Sequence, residues 1–181
     1  METVILTGPK HSGKTSAGKV LASLCSCDFI DLDDLILQRT GKSPRQLFSE
    51  GPEVFQKAEA EAMAALAGSD GGEGQRVIAA GGGIIDNAEA ATALKKPGAV
   101  TVYLDISAES AWDRIANAPD GELPPFLRTE NPRETHRVLH ERRAAAYLQF
   151  ANIVIKAEGK SPEEVAREIL ICTNNGEKHS K

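Results

Sequence analysis

Cysteine is scarce in this chain. Cys25, Cys27 and Cys172 form an odd, sparse set that cannot build a disulfide framework, so the small disulfide-stapled class is excluded and a reducing cytoplasm is expected. Long apolar runs are missing as well. No stretch approaches the roughly 20 residues of a membrane span, and no membrane partner is expected. The chain enters Val4-Ile5-Leu6-Thr7 without a basic segment, a long apolar stretch or a small-residue cleavage site, so no signal peptide is expected. Nor is there a positive excess: 21 Lys+Arg against 26 Asp+Glu give a net charge of −5. A phosphate backbone calls for a basic patch, so nucleic acid is not an expected partner.

What remains is ordinary for a globular protein: 181 residues, 41% hydrophobic and 26% charged, enough for one domain with a single well-buried core. Short β-branched runs alternate with longer amphipathic stretches, the pattern of an α/β domain with a mostly parallel sheet. The pattern predicts strands over Thr3–Thr7, Asp28–Ile30, Arg76–Ala79, Ala99–Leu104 and Asn152–Lys156. It predicts helices over Lys14–Leu24, Asp33–Thr40, Pro52–Ala67, Ala88–Leu94, Ala108–Asn117, Pro132–Phe150 and Pro162–Cys172. Ser161-Pro162-Glu163-Glu164 is a start signal: a capping hydroxyl, Pro in the first turn, then acids. The glycines of Gly68–Gln75 predict a flexible surface loop. The prolines of Ala118–Asn131 interrupt two helices, and a loop of that length is more often a functional lid than a passive connection. Residues 1–173 are expected to form one domain, with a lid at about 118–131 and a disordered tail at 174–181.

Gly8-Pro9-Lys10-His11-Ser12-Gly13-Lys14-Thr15 fulfils G-x-x-x-x-G-K-[ST] at every fixed position. It follows an apolar strand and opens a helix, the context in which such a loop curls its N–H groups around a phosphate at a positive helix end. His11, Ser12, Gly13 and Ser16 would then contribute to the phosphate cradle. Lys14 would reach the β- and γ-phosphates of ATP, and the Thr15 hydroxyl would ligate Mg²⁺. The second strand runs into Asp31-Leu32-Asp33-Asp34. At the carboxyl end of a parallel strand, acids face a ligand crevice. In extended backbone, Asp31 and Asp33 point the same way. One could hold a metal-bound water and the other orient an attacking hydroxyl; alternatively, the acids merely cap the next helix. Gly81-Gly82-Gly83 after the third strand either lets backbone N–H groups approach a ligand or forms a plain turn.

Taken together, these motifs resemble the shikimate kinases. The phosphate loop, Asp31-Leu32-Asp33, Arg39-Thr40-Gly41, the Leu47-Phe48…Gly51…Glu53…Phe55…Glu59 stretch, Gly81-Gly82-Gly83 and the late Arg143…Tyr147 segment occur in that family's order. The resemblance spans about the whole folded chain. It implies a P-loop NTPase fold: a five-stranded parallel sheet flanked by helices, with a lid and a substrate-binding subdomain. It also implies a monomer that transfers the ATP γ-phosphoryl to the 3-hydroxyl of shikimate. In that pattern Lys14 and Asp33 are catalytic, Asp33 as general base, while Asp31 and Thr15 serve the metal. Asp33, Gly81, Gly82, Gly83, Arg143 and the residue at position 56 contact substrate. Arg114, Arg128 and Lys160 fall near the family's nucleotide contacts.

The chain departs from the pattern where the family grips a carboxylate with arginine, whose planar fork matches it. Gln56 follows Phe55 where an arginine is usual, and Pro124 stands where another precedes the lid's apolar residues. Either Arg128 or Arg142 supplies the charge, or the acceptor is another small hydroxylated metabolite. A chain that kept the fold and lost turnover is the competing class. His136 and His140 sit four apart without a third ligand, so a solvated helix face is expected there; the cluster Arg133, Arg137, Arg142 and Arg143 is expected to be mostly solvated, with one or two members turned to the anionic site. Trp112 is expected in the core.

Overall fold

The computed structural model describes residues 3–68, 75–95, 97–118 and 123–174. Five strands, β1 (Thr3–Thr7), β2 (Asp28–Asp31), β3 (Arg76–Ala79), β4 (Ala99–Asp105) and β5 (Ile153–Lys156), form one sheet in the order β2-β3-β1-β4-β5. Every pairing is parallel, with Ile5 opposite Ile78 on one side and Thr101 on the other. Parallel strands need covered faces, and the alternation within β1 supplies both. Val4 and Leu6 pack with Leu21, Val102, Leu104 and Ile169, whereas Ile5 packs with Ile36, Met63, Ile78 and Leu94. Each fully buried Leu or Ile contributes about 1.5–3 kcal/mol.

The chain order reverses at β1: β2 and β3 lie to one side, β4 and β5 to the other. That reversal opens a crevice at the carboxyl ends of the strands. The helices are α1 (Lys14–Cys25), α2 (Leu32–Thr40), α3 (Pro44–Glu50), α4 (Pro52–Gly68), α5 (Ala88–Thr92), α6 (Ala108–Ala116), α7 (Pro132–Phe150) and α8 (Pro162–Asn174).

Several boundaries shift for physical reasons. Asn152 precedes β5 because its side chain accepts the Thr101 N–H at 2.8 Å. The helix expected over Ala88–Leu94 is α5, continued by a 3₁₀ turn over Ala93–Lys95. Helix α3 was not expected at all. Its signal lies in Ser43-Pro44-Arg45-Gln46: Ser43 caps the Gln46 N–H, Gln46 bonds back, and Pro occupies the first turn. The helix α8 takes in Thr173 and Asn174. Residues 175–181, most of the Gly68–Gln75 segment and 119–122 of the expected lid lie outside the described residues.

His136 and His140 do not form a solvated face. They are 5% and 9% exposed, because their side of α7 packs on α6 and β4. The His136 ring lies 5.7 Å from both the Trp112 and the His140 rings. Burial lowers the pKa of both histidines. Trp112 itself is half-buried beside them. The expectation for the surface arginines does hold for Arg133 and Arg137, which are exposed and paired with Glu109 and with Glu134 and Glu141. None of the three cysteines, Cys25, Cys27 and Cys172, forms a disulfide. No helix among the described residues is long and apolar enough to cross a membrane.

Candidate active site

The phosphate loop joins β1 to α1. Gly8 has φ +140°, and a side-chain carbon there would come 2.7 Å from the Leu104 carbonyl oxygen, so only glycine fits. Gly13 closes the loop in the left-handed region, and no side chain caps α1. The first N–H groups of that helix therefore point into the crevice without a competing acceptor from its cap, an anion site by construction. Lys14 is buried and donates to the carbonyls of Gly8 at 3.0 Å and Pro9 at 2.7 Å, and to Ser12 Oγ at 3.4 Å. Burial brings its pKa down to about 8, partly offset by Asp33 and Asp31.

Strand β2 ends at Asp31, and Asp33 already lies in the first turn of α2, so the two acids are not neighbours on extended backbone. Asp31 caps α2 and also lines the cavity beside Thr15. Asp31 Oδ1 accepts the Asp33 N–H at 3.0 Å, while its Oδ2 accepts the Thr15 hydroxyl at 2.8 Å. A hydroxyl beside a carboxylate is an oxygen donor pair that would suit Mg²⁺. The Asp33 pKa is raised, first by burial and then by Asp31; Lys14 and Lys10 oppose this.

These groups share a cavity of about 770 Å³. His11, Ser12, Gly13, Lys14, Thr15 and Ser16 line it, together with Arg114 and Lys160. Arg114 donates to the His11 carbonyl at 2.8 Å, and Lys160 pairs with Glu168. Asp31, Asp33, Gly81, Gly82, Gly83 and Arg143 line the same cavity. Gly82 packs against the phosphate loop, where a side-chain carbon would sit 3.0 Å from the Lys10 nitrogen. Arg143 is oriented by Asp86, at 2.9 Å from Nε and 2.7 Å from Nη2, and stacks 5.5 Å from the Phe126 ring.

Two expected contacts fall outside the lining. Gln56 is exposed; what holds it is its backbone carbonyl, which accepts from Asn87 at 2.7 Å. Arg128 is exposed one residue past the 3₁₀ turn Pro125–Leu127, because Leu127 takes the inward position. Arg142, offered as a replacement cation, is 62% exposed and pairs with Asp86 outside the cavity. Pro124 is buried and lines the wall with Pro125 and Phe126.

Sequence reasoning also missed contributors. Pro44, Arg45 and Phe48 enter the lining on the unforeseen α3. Glu59 is 1% exposed, with Oε2 accepting from Asn87 at 3.0 Å and Oε1 unpartnered. A side-chain carbon on Gly81 would meet that Oε1 at 3.1 Å and Asp33 Oδ1 at 3.6 Å, so both carboxyls face the space before Gly81. Burial pushes the Glu59 pKa up to about 7, against the Asn87 hydrogen bond.

A phosphate cradle, a buried lysine and an acid at the acceptor side in one crevice describe a small-molecule phosphotransferase. Comparison with known proteins decides which kind. The shikimate kinase family profile matches residues 10–174. The chain belongs to the shikimate kinase family. It is 33% identical to the shikimate kinase of Sulfurihydrogenibium sp. over 94% of this chain and 96% of that one. Among solved structures, it is similar to the shikimate kinase from Acinetobacter baumannii in complex with shikimate, with TM-score 0.86 and 28% identity over 97% and 94% of the two chains. A shikimate kinase from Aquifex aeolicus superposes with TM-score 0.79 at 32% identity, covering 96% and 97%. A gluconokinase from Sinorhizobium meliloti, 16% identical with TM-score 0.60, shares the fold alone. The five-stranded parallel sheet of the family is the sheet found here.

Proposed function

We propose that this chain transfers the γ-phosphoryl group of ATP, as its magnesium complex, to the 3-hydroxyl of shikimate. The observation that carries the reading is that Asp33 and Lys14 line one cavity and act on each other's charge, in a chain of the shikimate kinase family. Lys14 and the loop N–H groups hold the β- and γ-phosphates; Arg114 and Lys160 serve the nucleotide end. Thr15 and Asp31 would hold the magnesium ion, which would neutralise phosphate charge. Asp33 orients the acceptor hydroxyl and takes its proton. Its raised pKa makes it a stronger base than a surface carboxylate. Arg143 and the Gly81–Gly83 backbone hold the acceptor's carboxylate. The segment at about 118–131 acts as the lid, and the protein works as a cytoplasmic monomer whose partners are small molecules.

The test is ADP release with shikimate, quinate, gluconate or nucleoside monophosphates as acceptor. Shikimate should raise ADP release far above the rate without acceptor and above the other compounds. Preference for another acceptor would move the chain to the second reading, a kinase of a different hydroxylated metabolite, which the loss of arginine at positions 56 and 124 favours. Acceptor-independent rates throughout would leave only nucleotide binding.

A further inference from the structure

Lys10 occupies a variable position of the phosphate-loop motif, so the motif gives it no role. It is exposed at the mouth of the loop and lines the cavity, with its backbone nitrogen against Gly82 on the acceptor side. Among the described residues no hydrogen bond or ion pair holds its ammonium group. Lys14 differs: its Nζ is engaged by two carbonyls and the Ser12 hydroxyl of its own loop. The Lys10 charge acts on both Lys14 and Asp33, which bracket the path of the phosphoryl group. Arg143 also acts on Lys14, yet it bears on Glu59 and Tyr147 too, deeper on the acceptor side. Pro124, Pro125 and Phe126, which also line the cavity, carry no charge themselves.

We infer that Lys10 is a second catalytic cation, its ammonium group contacting the transferring phosphoryl oxygens between Lys14 and the hydroxyl held by Asp33. This rests on the kinase reading above. In the step, the bond from the γ-phosphorus to the bridging oxygen breaks and ADP leaves with its electron pair. The acceptor oxygen bonds to phosphorus, and its proton passes to Asp33. Lys10 gives up no proton; it offsets charge on the equatorial oxygens, where a preorganised cation acts most strongly.

The experiment compares Lys10→Met and Lys10→Arg with the unmodified chain, in steady-state assays with ATP and shikimate and in trapping of ADP with aluminium fluoride, a mimic of the phosphoryl group in flight. Lys10→Met should lower kcat by about tenfold to a hundredfold, leaving both KM values and the affinity for ADP alone within about threefold. It should weaken the fluoroaluminate complex by a similar factor. Lys10→Arg should recover most of both losses. An unchanged kcat, or a loss confined to the KM for shikimate, would overturn the assignment, the latter because Lys10 would then grip the acceptor's carboxylate. The fluoroaluminate measurement requires no identified acceptor. It therefore decides on Lys10 even where the chain leaves shikimate unphosphorylated, a result that would sink the proposed function alone.

Discussion

The Tyr147 hydroxyl lies 2.5 Å from the Gly82 carbonyl oxygen and 3.2 Å from that of Gly8, so one buried side chain ties the glycine triplet to the phosphate loop. A phenol has one proton to donate, and the nearer carbonyl receives it. Tyr147→Phe leaves a buried carbonyl without its donor and should destabilise the fold by about 1–3 kcal/mol, read by denaturant unfolding. An unchanged midpoint would show that the tie carries no stability.

Lys14→Ala should cut turnover by about a hundredfold to a thousandfold, because no other group can replace a cation inside the phosphate cradle. The pKa of about 8 adds a pH signature. The lysine is charged below that value and neutral above it, so kcat/KM should fall as pH rises through 8. A profile flat to pH 10 in the unmodified chain would argue against the lowered pKa.

Asp33→Asn should depress kcat far more than nucleotide affinity, since the group faces the acceptor and its own N–H is already bound by Asp31. A collapse of nucleotide binding would instead make Asp33 the metal-side acid, and the roles of Asp31 and Asp33 would exchange.

Glu59 should govern both stability and acceptor binding near neutral pH. Its folded pKa of about 7 exceeds the ordinary 4.5, so the folded chain keeps a proton that the unfolded chain releases. Stability should therefore fall as pH rises from 4.5 to 7, by up to about 3 kcal/mol from this group. Glu59→Gln should abolish that portion of the slope. Above pH 7 the new anion joins Asp33 beside Gly81, with Asp86 adding to the negative charge from outside the cavity and Arg143 as the opposing cation. The KM for an anionic acceptor should then rise. Gln56→Arg places a guanidinium one turn from Glu59; it should draw the Glu59 pKa down and flatten the pH dependence of KM. A KM constant from pH 6 to 8 in the unmodified chain would exclude Glu59 from the acceptor's surroundings.

The strands and the phosphate loop were legible because their signals are local: alternation within β1, glycines at fixed offsets, a lysine at the helix start. The double use of Asp31 was half legible. Spacing put the acid at a strand end, while the helical turn that separates it from Asp33 emerges only once Leu32 packs into the core at 0% exposure. Helix α3 could have been read from Ser43 and Gln46, and with it Arg45 and Phe48 as cavity residues. The partnership of Asp86 with Arg142 and Arg143 could not, because nothing within either segment points to the other. The histidines of α7 misled for a related reason. Charged neighbours made the helix look solvated all round, whereas its His136 and His140 side is covered by α6 and β4.

That Asp86 pairing has a bearing on recognition. Arg143 would otherwise sweep many rotamers and carry a full hydration shell. Here Asp86 takes one edge of the guanidinium, Phe126 covers its face, and Arg142 steadies Asp86 from outside. The ordering entropy and much of the dehydration of that side chain are thus settled when the chain folds, not when a ligand arrives. An incoming anion meets a guanidinium already aimed, and the aim is set from the substrate-free side of the arginine. Discrimination among acceptors then becomes a matter of fit to a fixed direction, and a carboxylate displaced by a single carbon would lose the contact that a mobile arginine would follow.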